Sequence, residues 1–86
     1  MMNIQLRFFA SVRETLGTSQ ESVTLPEHVR TVGEVRAFLV QRGGAWAEAL
    51  AVGRSLRMAY NQVMTEPETP ISEGCEVAFF PPVTGG

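Results

Sequence analysis

The sequence predicts an α+β fold in which a mixed sheet packs on one main helix. Three observations lead there. Apolar residues alternate with polar ones near both ends of the chain, one well-capped helical stretch lies between them, and 86 residues suffice for a single core. With 44% apolar and 19% charged residues, the chain has enough branched and aromatic side chains to fold alone.

Ile4, Leu6 and Phe8 alternate with Gln5 and Arg7, the pattern of a strand with one buried face. Ala10 to Leu16 reads as a short helical turn ending at Gly17, and Ser22 to Leu25 alternates again until Pro26 stops it, so the two strands form a hairpin. Thr31-Val32-Gly33-Glu34 has the spacing of a capping box and opens the main helix. Its buried stripe is Val32, Val35 and Leu39, with Phe38 and Val40 on the flanks and Gly43-Gly44 as a left-handed stop. A shorter helix carries Trp46 and Leu50, one turn apart. Leu56, Met58 and Tyr60 mark a third strand, Val63-Met64 an edge piece, and Glu76 to Phe80 the last strand, ended by Pro81. The order β-β-α-β-β-β buries both amphipathic elements only if the helix lies across one face of the sheet, which is the β-grasp, ubiquitin-like arrangement. Residues 1–80 are expected to form that domain and 81–86 an extended tail.

All seven basic residues are arginine and all nine acidic ones glutamate, for a net charge of −2. The absence of a basic excess argues against a nucleic-acid binder. No apolar run approaches membrane-spanning length, the first residues lack the order of a signal peptide, and the single cysteine, Cys75, has no internal partner, so a cytoplasmic location is expected. His28 is the one histidine and sits in a loop, which leaves neither a metal-ligand set nor a nucleophile–base pair. Cys75, flanked by Glu73 and Glu76, is expected to be inert because neighbouring negative charge disfavours a thiolate.

The chemistry therefore falls to the end of the sequence, Phe80-Pro81-Pro82-Val83-Thr84-Gly85-Gly86. Two prolines extend the backbone, and two glycines without side chains let a carboxylate pass a narrow channel. An activated glycine acyl group also cannot racemise.

"LRFFASVRETLG" (Leu6 to Gly17), "MAYNQ" (Met58 to Gln62) and "GCEVAFFPPVTGG" (Gly74 to Gly86) resemble the small, sulfur-carrying subunit of molybdopterin synthase, a ubiquitin-like family. Two positions depart from its pattern: Cys75, where aspartate is usual, and Thr84, where alanine or serine is common. The resemblance implies that the Gly86 carboxylate is adenylated by an E1-like enzyme using ATP, converted to a thiocarboxylate by a persulfide sulfur donor, and threaded through Pro81, Pro82, Val83, Thr84 and Gly85 into the large synthase subunit. There its sulfur would pass to cyclic pyranopterin monophosphate. The chain would bind no permanent cofactor or metal and would not be catalytic alone.

Phe80 shares strand parity with Glu76 and Ala78, so it is expected on the sheet face away from the helix, exposed as a docking anchor for that subunit. The alternatives are a thiamine-pathway sulfur carrier, a ubiquitin-like protein modifier, and an interaction module with an idle tail. The absence of lysine excludes self-conjugated chains through side-chain amines.

Overall fold

In the computed structural model, which describes residues 1–51 and 53–82, the chain runs through β1 (Met2–Phe8), α1 (Ala10–Leu16), β2 (Gln20–Leu25), α2 (Val32–Val40), α3 (Gly44–Leu50), β3 (Arg57–Tyr60), β4 (Val63–Thr65) and β5 (Glu76–Phe80). The strands form one sheet of order β2-β1-β5-β3-β4. β5 is its central strand, parallel to β1 from Gln5↔Glu76 to Phe8↔Phe79 and antiparallel to β3. This is the β-grasp arrangement. No described helix is long and apolar enough to cross a membrane.

Alternation decides which face is covered. Ile4, Leu6 and Phe8 of β1 and Val77 and Phe79 of β5 are buried, together with Val32, Val35 and Leu39 of α2. No polar or charged residue is buried among those described, so the core is held by apolar contact alone. Both bonds of the α2 capping box are present: the Glu34 amide donates to Thr31 Oγ1 (3.2 Å) and the Thr31 amide to Glu34 Oε1 (3.1 Å). Two further first-turn amides, of Val32 and Gly33, donate to the Thr69 and Pro67 carbonyls. Pro67 comes so close that a Cβ on Gly33 would lie 3.0 Å from its Cβ, which is why a poor helix former stands in the first turn.

The helical turn expected over Ala10 to Leu16 is present as α1, which Ala10 enters at φ 51 and Gly17 ends in left-handed conformation. The structure corrects two other local expectations. α2 stops at Val40 with Gln41 in right-handed conformation, so Gly43 and Gly44, at φ 75 and 55, open α3 instead of ending α2. In β3, Ala59 is buried as well as Met58, because β3 has neighbours on both edges and side chains on both faces.

α3 has no basic residue in its last turn. Its terminal carbonyls are satisfied from outside by Arg36 of α2, which donates Nε to Leu50 O (2.7 Å) and Nη2 to Ala51 O and to Arg54 O (2.8 Å). One guanidinium thus ties α2, the end of α3 and the segment leading to β3. Arg36→Met is expected to lower the unfolding free energy by about 2 kcal/mol, with Arg36→Lys recovering less than half because an ammonium lacks the planar fork. Urea melts at equal m-value measure this, and unchanged stability would show that α3 is held by other means.

Cys75 belongs to the core at 3% exposure. Burial pushes its thiol pKa up; hydrogen bonding with the backbone of Ser72 and of Cys75 itself opposes this, and the charge of Glu73 adds to it. The main cause is therefore burial, not the flanking carboxylates suggested by the sequence. A raised folded-state pKa stabilises the protein below the unfolded thiol's pKa, roughly 8.5, and that contribution is lost as pH rises through the folded value. Native Cys75 should accordingly react with iodoacetamide at pH 8 at less than about a tenth of the urea-unfolded rate. Comparable rates would place the thiol at the surface.

Candidate functional site

β5 delivers the chain out of the middle of the sheet, so the residues after Phe79 emerge beside the end of β1. The pairing extends one residue past both strands' buried positions: the Phe9 amide donates to Phe79 O (3.3 Å). Phe79 turns towards the core and stacks on Phe8 at 6.4 Å between ring centroids, while Phe80 is paired with Arg57 on the face away from α2. That is the face expected for it. Phe80 is nevertheless half-buried and not exposed, because the Phe9 ring meets it edge-on at 6.2 Å and 85°. The more accessible of the two rings is Phe9, at 41% exposure.

Arg7 stands beside Ala78 in register, its guanidinium carbon 5.7 Å from the Phe9 ring centre and its Nη1 4.0 Å from Glu76 Oε1. Its Nε is buried with no acceptor among the described residues. Ala78, on the same open face, is only 3% exposed. Phe9, Phe80, Arg7 and Arg57 thus frame a mixed aromatic and cationic border at the sheet end where β5 leaves. Sequence reasoning had singled out Phe80 alone. The signal for Phe9 was the Phe8-Phe9 doublet, since period-two alternation that buries Phe8 must turn Phe9 outward.

Pro81 and Pro82, expected to extend from the sheet, are half-buried. Pro81 forms one wall of a cleft of about 380 Å³ whose other walls include Ser11 and Thr15 of α1 and Arg54 and Ser55 before β3. The remaining candidates, Val83, Thr84, Gly85 and Gly86, lie outside the described residues. His28 is exposed in its loop, and no three of the described His, Cys, Asp and Glu residues are grouped to hold a metal. What the described arrangement offers is a surface: an aromatic pair and cations around the point where β5 ends, with a hydroxyl-lined cleft beside Pro81.

Comparison with known proteins accords with this geometry. The ThiS family model matches residues 6–86. A relative from Haemophilus influenzae named molybdopterin synthase sulfur carrier subunit is 42% identical over 86 residues, covering the whole of both chains. A solved structure from Pyrococcus furiosus, titled putative molybdopterin converting factor subunit 1, superposes with a TM-score of 0.78 at 22% identity, covering 96% of this chain and all of that one. Another from Helicobacter pylori, titled a protein–protein complex of subunits 1 and 2 of molybdopterin-converting factor, superposes at 0.68 and 24% identity over 99% of this chain and all of that one. With this β-grasp sheet and a match along nearly its whole length, the chain belongs to the ThiS family.

Proposed function

We propose that this chain is the sulfur carrier subunit of a molybdopterin synthase. The observation that supports this most is the 42% identity, over the whole of both chains, to the Haemophilus influenzae protein of that name. In this reading a resonance-stabilised carboxylate on Gly86 is first made into an acylating agent. An E1-like partner joins it to AMP from ATP with release of pyrophosphate. A persulfide sulfur then attacks the acyl carbon and AMP leaves. Reduction of the resulting acyl disulfide by a thiol frees a thiocarboxylate, which is nucleophilic at sulfur. The large synthase subunit accepts the tail and holds cyclic pyranopterin monophosphate. After sulfur transfer, hydrolysis of the acyl bond returns the carboxylate, so one carrier can be recharged.

This chain's own contributions are binding and placement. Stiffness at Pro81 and Pro82 lowers the entropy lost on threading Val83, Thr84 and Gly85, and the absent side chain at Gly86 lets the acyl carbon approach closely. Phe80 with Phe9 supplies an aromatic contact for the large subunit. We place the cycle in the cytoplasm, where thiols are kept reduced and can release the thiocarboxylate from the acyl disulfide.

Removing Gly86, or adding one residue after it, should abolish ATP–pyrophosphate exchange with the cognate activating enzyme while the thermal melt stays unchanged. Normal exchange by either variant would refute a terminal acyl group as the reacting centre. Charged with ATP, activating enzyme and persulfide donor, the wild type should gain the mass of sulfur in place of oxygen. Isopeptide-linked products on other proteins would replace the carrier reading with a modifier one.

Phe80→Arg should weaken binding to the large subunit by at least about 2 kcal/mol. Its stability loss should stay near the 0.5–1.5 kcal/mol, roughly, of one aromatic pair. Calorimetric titration and a thermal melt check this; equal affinity, or an unfolded variant, would remove Phe80 as an anchor.

A further inference from the structure

The cleft beside Pro81 has a composition that the tail chemistry does not use. Arg54 and Ser55 line one side and Ser11 and Thr15 the other, and no carboxylate is among the lining residues. Ser11 and Thr15 stand four residues apart on α1, so their hydroxyls share one face. Among the described residues, none of these three hydroxyls makes a side-chain hydrogen bond, and the Arg54 guanidinium has neither a hydrogen-bond acceptor nor an ion-pair partner. The backbone beneath that guanidinium is fixed on both sides: the Arg54 amide donates to Ala51 O (2.8 Å), and the Arg54 carbonyl accepts from Arg36 Nη2 (2.8 Å). The cation is therefore tethered at its root and, among the described residues, unpaired at its tip. Four residues with side-chain donors line a space open to solvent and walled by the first residue of the tail.

Resting on the sulfur-carrier reading, we propose that this cleft receives a carboxylate side chain, aspartate or glutamate, from the large synthase subunit, with Arg54 as its ion-pair partner and Ser55, Ser11 and Thr15 as hydroxyl donors. Charge complementarity selects an acidic group, because donors outnumber acceptors and the guanidinium fork matches a carboxylate in two parallel bonds. Continuity selects the protein that grips the tail. Pro81 is a wall of the cleft and the start of the threaded segment, so a surface that encloses the segment also covers the cleft. The contact locks the angle at which the tail leaves the domain: one end of the bound segment is held by the channel, the other by the Arg54 pair. It is a positioning contact, and it is separate from the aromatic pair, which faces the partner from the sheet surface.

The test measures affinity for the large subunit from the same organism by calorimetry, at low and at physiological salt. Arg54→Gln should bind roughly tenfold more weakly with a reduced salt dependence, and Arg54→Glu more weakly still. Thr15→Glu, which puts a competing carboxylate into the cleft from an exposed helical position, should reproduce the loss even if an Arg54 variant folds poorly. Reversing one acidic residue of the large subunit to arginine should restore binding of Arg54→Glu. Wild-type binding with the Arg54 and Thr15 variants equally tight overturns this proposal and leaves the carrier reading intact. Weakened pyrophosphate exchange with unchanged large-subunit affinity also overturns it, by moving the contact to the activating enzyme. A wild type that does not bind the large subunit at all overturns the carrier reading, and this proposal with it.

Discussion

The parallel pairing of β1 with β5 is the constraint on which the rest of this molecule depends. Two parallel neighbours cannot be joined by a tight turn, so everything between Phe8 and Glu76 must serve as their connection. That connection includes the helix which covers one face of the sheet. The same pairing sets Phe8 against Phe79 in the core and Phe9 against Phe80 at the border. The hydrophobic centre and the aromatic border are thus successive residues of the same two strands. A slip of one residue would exchange them, and the burial of Phe8 and Phe79 opposes such a slip.

A second tie operates between elements that the sheet does not hold. α3 and the segment after it touch the core through Ala49, Leu50 and Leu56, but backbone hydrogen bonding at the end of a short helix is incomplete by nature. Arg36 completes it from a neighbouring helix, and in doing so sets the backbone of Arg54. Stability at α3 and the geometry of the Pro81 cleft are consequently linked through one side chain, although that side chain lies outside the cleft lining. On the opposite flank Arg42 plays a comparable part: it forms a two-pronged pair with Glu21 of β2 and lies 4.4 Å from the centre of the Trp46 ring. No polar or charged residue is buried among those described, and these two arginines add directional contacts at the rim of the core.

Most of the fold was legible because its signals are local. The threonine and glutamate of the α2 cap, the alternation in β1 and the proline after β5 each act within a few residues. Less legible were features decided by what comes from elsewhere in the chain. The role of Gly43 and Gly44 depends on where α2 runs out of core to cover, and the exposure of Phe80 depends on a ring about seventy residues earlier in the sequence. The thiol of Cys75 is governed by the core around it, whereas its sequence neighbours had pointed to charge. The cleft draws its walls from α1, the approach to β3 and the end of β5, three segments with no shared pattern. The tail was read from residue types alone, since the reason proposed for glycine there is chemical and not architectural.

Because β1 and β5 run side by side in the same direction, Met2 and Phe80 stand at opposite ends of the sheet, separated by roughly the 20 Å that a strand of this length spans. The domain is therefore a plug with a built-in handle. Whatever is fastened ahead of Met2, a bead, a tag or a second domain, hangs from the end remote from Pro81 and leaves the working end facing outward. In the proposed cycle, where the carrier passes from one large enzyme to another, this polarity would confine steric conflict to the end at Pro81.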